Sequence, residues 1–444
     1  MEEVYKYLNL DNKENQKSFD TLISWELDNE STVAKKVNII SFLLKLSIGI
    51  LVSDLVQLFQ LQFRKSKLGS VVFVTHYSHI LKAIGFNKVF ENENYGILYV
   101  PTVHSKDRTR HFKQLKENKN VKFDYFGLST FFKSFLLFFD ILFFIKLKKK
   151  YPNSFSVLFK NIVKYKIFEF YAEKTYQIGR SVKLWIFDND RDTNFTPLII
   201  LINKRGIPTV SLQHGVFFEG NKFYIPSISK HVFCCSEREK KMFVRGGVEI
   251  DKINVIGAPL QTFVHKNSNL DVKHNINIKY DVLILLTSTI FEKEFAAQIK
   301  LLNLLANHDE FSVIVRFRPA SVHYDREQLD KYISPKFFIS DNDLEADIRQ
   351  SKSIITFSFD ALYNCVINNK KIILLCAPEI KKQLSTQTNP LVLNYLDIES
   401  IIKYLNLDIP FEKEVFVNNF GEYDFSIYRS NFIDSCKSIM NNLK

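Results

Sequence analysis

Polar side chains recur at the ends of apolar runs in this chain, and their types sort into two kinds of chemistry. Asp188 and Asp190 follow KLWIF, Gln213, His214 and Gly215 follow VSL, and Glu219 stands shortly after. Carboxylates, and an imidazole with an ordinary pKa of about 6.5, are groups that take a proton from a hydroxyl. His214 lies between a strand and a glycine, where the backbone can turn sharply and present the ring outward. Further along, Gly257 follows VI, Thr287, Ser288 and Thr289 follow LILL, Arg316 and Arg318 close VIVRFRP, and Ser358 and Asp360 follow IITF. Guanidinium groups and the free N–H groups of helix starts bind phosphate-like anions. Arg316 and Arg318 alternate along a strand and face opposite sides, so at most one reaches a shared ligand, and Arg318 at the strand end is preferred. Each position also has a plainer role. An Asp, Ser or Thr after a strand is often only a helix N-cap, and a histidine at a turn can be structural.

These residues can meet only if the runs that carry them form one kind of sheet. Residues 183–212 read strand, helix, turn, strand, the spacing of a βαβ unit with parallel strands. Further strands are expected at 231–235 and 253–256, with a helix begun by Ser236 and carrying Glu237 and Glu239 in its first turn. After a polar stretch the rhythm restarts. Strands are expected at 282–286, 312–317, 337–339, 353–356 and 372–376, and helices at 291–307, 344–349 and 360–368. The N-terminal third is mostly helical in pattern, with strands at 71–76 and 96–101 and a helix at 155–174. The expected architecture is α/β: an N-terminal domain over residues 1–265 with a helix-rich beginning, a linker at 266–279, and a C-terminal domain over 280–444. Open parallel sheets bind ligands beyond the carboxyl ends of their strands, where the polar residues above lie.

Composition narrows the function classes. Lys and Arg number 60 against 48 Asp and Glu, a formal charge of +12, yet the basic residues are spread along the chain without a nucleic-acid-binding signature. Cys234, Cys235, Cys365, Cys376 and Cys436 show no metal-ligand spacing and point to buried thiols in a reducing compartment. The first residues have no secretory pattern, which points to the cytoplasm. Phenylalanine is the anomaly, at 42 residues, and implies heavily aromatic cores or an apolar surface that meets something other than water. Residues 37–59 and 131–147 are apolar, but Lys45 and Asp54 interrupt the first, and Lys133 and Asp140 the second. A spanning helix is therefore not expected. Residues 131–147 run into Lys148, Lys149 and Lys150, so they read either as helix buried in the α/β domain or as helix lying on an anionic membrane.

The order KLWIFDND, LIILINKRGIPTVSLQHGVFFEG, HVFCCSEREKKMF, INVIGAPLQTF over residues 183–263 resembles the central part of bacterial cell-surface polysaccharide transferases. The relatives are the CDP-glycerol glycerophosphotransferases, the polysialyltransferases and the capsule-type Kdo transferases. Residues 343–362 share the same grammar. The resemblance implies a GT-B-like fold, two Rossmann-like domains facing across a cleft, with the activated donor held chiefly by the C-terminal one. It implies a metal-independent glycosyltransferase without cofactor. The enzyme would pass a sugar from a nucleotide-activated donor to a glycan or lipid-linked glycan acceptor. Peripheral contact with an anionic membrane is the expectation of the aromatic and basic residues 131–150, and the spread of charge points to no nucleic-acid partner. His214 would be the base, with Asp188, Asp190 or Glu219 orienting it or acting in its place. Arg318, Arg316, Thr287, Ser288, Thr289, Ser358 and Asp360 would face the donor, and Gln213, Gly215 and Gly257 would shape the loops. Many of these families carry His-Pro where this chain has Arg318-Pro319, which keeps phosphate binding but removes a general acid. Two other readings are a nucleotide-sugar 2-epimerase on the same architecture and a non-catalytic, membrane-associated polysaccharide assembly protein.

Overall fold

Short runs of Val, Ile, Leu and Phe without alternation are the mark of strands covered on both faces, and here they build parallel sheets. The computed structural model describes residues 1–10, 13, 15–17, 19–20, 23, 38–60, 68–76, 80–91, 93–100, 121–123, 128–189, 194–213, 215–216, 218, 227–263, 278–287, 292–317, 322–384 and 389–442. Among these, the first sheet contains β1 (Val71–His76), β2 (Tyr95–Val100), β3 (Val121–Phe123), β4 (Leu184–Phe187), β5 (Thr209–Leu212), β6 (His231–Cys234) and β7 (Ile253–Val255). Its order is β3-β2-β1-β4-β5-β6-β7, and every pairing is parallel. The second sheet contains β8 (Tyr280–Leu285), β9 (Val313–Arg316), β10 (Phe338–Ile339), β11 (Ser351–Thr356), β12 (Lys371–Cys376) and β13 (Leu391–Asn394), in the order β10-β9-β8-β11-β12-β13. It too is wholly parallel.

Both orders are doubly wound, so the chain leaves the first strand in one direction and returns on its other side. Each sheet therefore has a point where neighbouring strands send their loops apart, between β1 and β4 in the first and between β8 and β11 in the second. The expected strands match within one or two residues, while β3, β13 and the helices beyond β13 carried no expectation from the pattern. The linker expected at 266–279 lies, apart from its last two residues, outside the described ones.

Caps fix where the helices near the strand ends begin. Ser236 Oγ accepts from the Glu239 N–H at 3.3 Å, starting helix Glu237–Arg245 as expected. Asp424 accepts from Ser426 N–H at 2.8 Å and Ile427 N–H at 3.2 Å, starting the last helix, Phe425–Asn441. That helix crosses from the second sheet back onto the first. Arg429 Nε donates to Val89 O at 2.9 Å and Nη2 to Glu91 O at 3.0 Å. Phe432 meets the Phe86, Phe90 and Phe233 rings edge-on. One continuous apolar core thus includes Phe73 and Phe86 of the first sheet's layers, Leu283 and Leu362 of the second's, and Tyr428 and Phe432 of the returning helix.

The phenylalanines divide between core and surface. Phe73, Phe86, Phe144, Phe159 and Phe168 are fully buried, whereas Phe132, Phe135 and Phe139 are exposed. All five cysteines are free and buried. Among the described residues, no helix is long and apolar enough to cross a membrane.

Candidate functional site

The β1–β4 switch point holds a buried charge. Val74 pairs with Phe187, so Thr75 and Asp188 come next to each other as the strands end. Thr75 Oγ1 donates to Asp188 Oδ2 at 2.6 Å, and Lys82 Nζ lies 3.8 Å from the same oxygen, with Asp188 wholly and Lys82 nearly buried. Sequence reasoning singled out Asp188 and missed Thr75 and Lys82. The available signal was that VVFVTH also ends in polar residues, with a lysine in the helix that follows. Asp190 lies outside the described residues.

The loop after β5 is clamped by its own first residue. Gln213 is buried, and its Nε2 donates across the intervening position to Gly215 O at 2.5 Å. The Cys235 N–H, at the end of β6, points to Gln213 Oε1 at 3.4 Å and to Glu239 Oε2 at 3.0 Å. Phe218 then reaches the second domain: its ring lies 4.6 Å from that of Phe359, which stands between Ser358 and Asp360 after β11. The Arg238 guanidinium stacks 4.6 Å over Phe218, while its Nε donates to Asn419 O at 3.2 Å. Two of the strand-end loops picked from sequence are therefore brought together by an aromatic contact that was not expected. His214 and Glu219 themselves lie outside the described residues.

In the second sheet, Thr356 pairs with Leu285, which sets Thr287 and Ser358 side by side beyond the β8–β11 switch. The Thr356 hydroxyl accepts from the Ser358 N–H at 2.9 Å, and Ser358 itself is half-buried. Asp360 is the first helical residue of Asp360–Ile367, and the cap position falls to Phe359, which makes no side-chain cap bond. Arg316 is engaged elsewhere: it bonds Asp347 Oδ2 at 2.9 Å and also the Asn342 carbonyl. Asp347 is buried and also accepts from Ser340 Oγ at 2.8 Å, so the pair locks β9 to helix Leu344–Gln350. Ser288, Thr289 and Arg318 lie outside the described residues.

Thr287 is held by the helix Glu292–Ala306. Its N–H donates to Gln298 Oε1 at 3.0 Å and its hydroxyl to Glu294 Oε2 at 3.1 Å. Burial raises the Glu294 carboxyl above the usual carboxylate range, and hydrogen bonds from Thr287 and Tyr395 pull it back only in part. A folded-state pKa above the unfolded one means that the group's contribution to stability is complete below the ordinary glutamate value, about 4.3, and is lost as pH rises through the folded value. Glu294→Gln keeps the side-chain size and abolishes that titration. The stability of wild type relative to the variant should therefore be greater at pH about 4 than at pH about 7 in urea unfolding. A difference independent of pH would rule out the shift.

Gly257, picked as a loop residue, has φ +111°, and its neighbour Ala258 donates its N–H to Glu422 O at 2.7 Å. It sits where the chain segment leading into the last helix crosses the end of β7. Among the described residues, no group of three or more His, Cys, Asp or Glu converges as metal ligands would.

No protein-family model and no curated protein matches the sequence. Solved structures of the same fold include the S. aureus MnaA–UDP co-structure, at 10% identity and TM-score 0.54 over 84% of this chain and 97% of that one. A UDP-GlcNAc 2-epimerase from Methanocaldococcus jannaschii, in complex with UDP-GlcNAc and UDP, matches at 13% identity and TM-score 0.52 over 83% and 99%. A glycosyltransferase from Rickettsia africae matches at 13% identity and TM-score 0.51 over 84% and 99%. At such identities the likeness is one of fold. The chain has the GT-B-like architecture of two Rossmann-type domains facing across a cleft.

Proposed function

We propose that this protein is a glycosyltransferase that moves a sugar from a nucleotide-activated donor to a surface-glycan acceptor such as a capsule or O-antigen precursor. The observation that carries this reading is the Phe218–Phe359 contact. It brings Phe218, four residues after His214 in sequence, against Phe359, which stands between Ser358 and Asp360, and this supports reading a proton acceptor and an anion-holding strand end into one cleft. In this reading the second domain holds the donor, with Ser358 and the helix start at Asp360 beside its phosphates and Arg318 supplying positive charge. Thr287, whose N–H and hydroxyl are taken by Gln298 and Glu294, holds the strand end in place. Arg316, already paired with Asp347, supports the sheet instead.

Of the candidate bases, His214 is favoured over Asp188. The Asp188 carboxylate is fully buried, accepts from Thr75 and faces Lys82, so it fastens β1 to β4 rather than meeting an acceptor hydroxyl. The resemblance to glycerophosphotransferases, polysialyltransferases and Kdo transferases suits this role, and so would a lipid-linked acceptor at an anionic membrane. No metal is required by the mechanism, since fixed dipoles and a guanidinium can stabilise the leaving phosphate.

A second reading, a nucleotide-sugar 2-epimerase, is favoured by the fold likeness to the M. jannaschii enzyme that binds UDP-GlcNAc. One experiment separates the readings. CMP-, CDP-, UDP-, GDP- and dTDP-linked sugars are screened by thermal shift, since a ligand that binds only the folded state raises the melting temperature. A ligand at a hundred times its Kd adds about 2.7 kcal/mol of stability. The stabilising donor is then incubated with and without a lipid-linked glycan extract. Release of nucleotide only when the extract is present supports the transferase. Interconversion of two nucleotide sugars with no acceptor supports the epimerase. No shift with any donor would sink both and leave the non-catalytic assembly protein.

A further inference from the structure

We propose that the outer face of the helices Ile39–Gln60, Leu128–Leu136 and Ile141–Lys150 is a docking surface for an anionic lipid bilayer. Phe139 is 83% exposed, Leu142 72% and Phe132 64%, values far outside what a soluble face needs from side chains of this size. Phe135, Leu136 and Ile145 of the same two helices are exposed as well. On the opposite side Ser134, Leu137, Phe144 and Leu147 are buried against the domain. The helix Ile39–Gln60 adds Ile40, Leu44 and Ile48, spaced four apart and therefore on one stripe. A buried hydrogen bond of 2.9 Å between Ser47 and Ser134 ties that helix to Leu128–Leu136, so the two helices that carry these exposed side chains pack side by side.

Charge identifies the occupant. Lys133 and Lys146 are exposed among these side chains, and Lys148, Lys149 and Lys150 close the helix Ile141–Lys150. Exposed apolar side chains interleaved with lysines, and closed by three more, match an acyl boundary beneath anionic headgroups, where long lysine side chains reach up to the headgroups. They fit a second copy of this chain poorly, because at +12 the two faces would bring like charges together. No described helix can cross a bilayer, so these helices lie in its surface rather than through it. Lys148 lies 6.0 Å from the ring of Phe155, the first residue of the helix Phe155–Ile178, so the basic end of the face is packed onto the domain. The inference stands apart from the choice between transferase and epimerase.

The test is co-sedimentation of the full chain with vesicles of phosphatidylcholine alone or mixed with phosphatidylglycerol, beside sedimentation velocity without lipid. The wild type should bind the mixed vesicles, and binding should fall with salt. Replacing Lys148, Lys149 and Lys150 by Gln should weaken binding about a hundredfold, at roughly fivefold per lysine. Phe139→Asp with Leu142→Asp should remove it altogether, with unchanged melting temperature and unchanged thermal shift by nucleotide sugars, since both side chains are exposed. Three results overturn the proposal: no binding to mixed vesicles, binding that survives the double Asp change, or a lipid-free dimer that this change converts to monomer. Nucleotide-sugar binding would persist in each, so this failure is distinct from failure of the enzymatic reading.

Discussion

Gly421→Ala is expected to be among the most destabilising single substitutions in the chain, at about 3 kcal/mol or more. Gly421 has φ +102° and ψ 167°, a region that is essentially closed to residues with a Cβ. A Cβ there would also stand 2.0 Å from the Cys235 carbonyl oxygen, which is backbone and cannot rotate away. Relief requires the crossing segment to withdraw from the ends of β6 and β7, where the Ala258–Glu422 hydrogen bond and Gly257 meet it. That would loosen the segment that delivers the helix Phe425–Asn441 to the first sheet. Gly206 supplies the control. It has φ +78°, but a methyl group added there would meet no atom within 4 Å, so Gly206→Ala should cost only the backbone preference, about 1–2 kcal/mol. Urea unfolding of the two variants against wild type measures the difference. Equal losses would mean that the Cys235 contact is easily relieved and that the crossing is not a rigid junction.

That junction also marks where sequence reading stops. The strands were legible because parallel sheets covered on both faces demand uninterrupted apolar runs such as LWIF, VLIL and KIILLC. The helix at Ser236 was legible because its cap and first-turn acids are local. What holds the site together is not local. Thr75 and Asp188 meet across 113 residues of chain. Phe218 meets Phe359, and Arg429 meets Val89 across 340 residues. No periodicity encodes such pairings, and a phenylalanine bound for a domain contact looks like one bound for the core. The apolar run at 131–147 shows the same limit. Its composition allowed a buried helix or a membrane-facing one, and the fold buries one side of this broken helix pair and leaves the other apolar side exposed. The strand-end rule nevertheless located Asp188, Gln213, Thr287 and Ser358 at the carboxyl ends of parallel strands, with Asp188 beside the first switch point and Thr287 and Ser358 beside the second.

His214→Ala is expected to have the largest effect on activity, a loss of about 10²–10⁴ in turnover with donor binding retained, as for removal of a general base. The case rests on how the residues around position 214 are held. Gln213 lies buried at the strand end and ties Gly215 O at 2.5 Å, while Phe218 is gripped between Phe359 and Arg238. Anchors at Gln213 and Phe218, on either side of His214 in sequence, would lower the entropy cost of presenting its side chain. Gln213→Ala should consequently lower turnover by a smaller factor, about tenfold, through misplacement of its neighbour, and leave the nucleotide-sugar thermal shift unchanged. Gln213→Glu divides the clamp: it keeps an acceptor for the Cys235 N–H but cannot donate to Gly215 O. If donation across the loop positions His214, Gln213→Glu should be as impaired in single-turnover transfer as Gln213→Ala. If it behaves as wild type, the anchor is the Phe218 contact, and Phe218→Ala should then show the turnover defect. Wild-type turnover in His214→Ala would remove the imidazole from the reaction, and because Asp188 is already committed to Thr75 and Lys82, the search for a base would pass to Asp190 and Glu219.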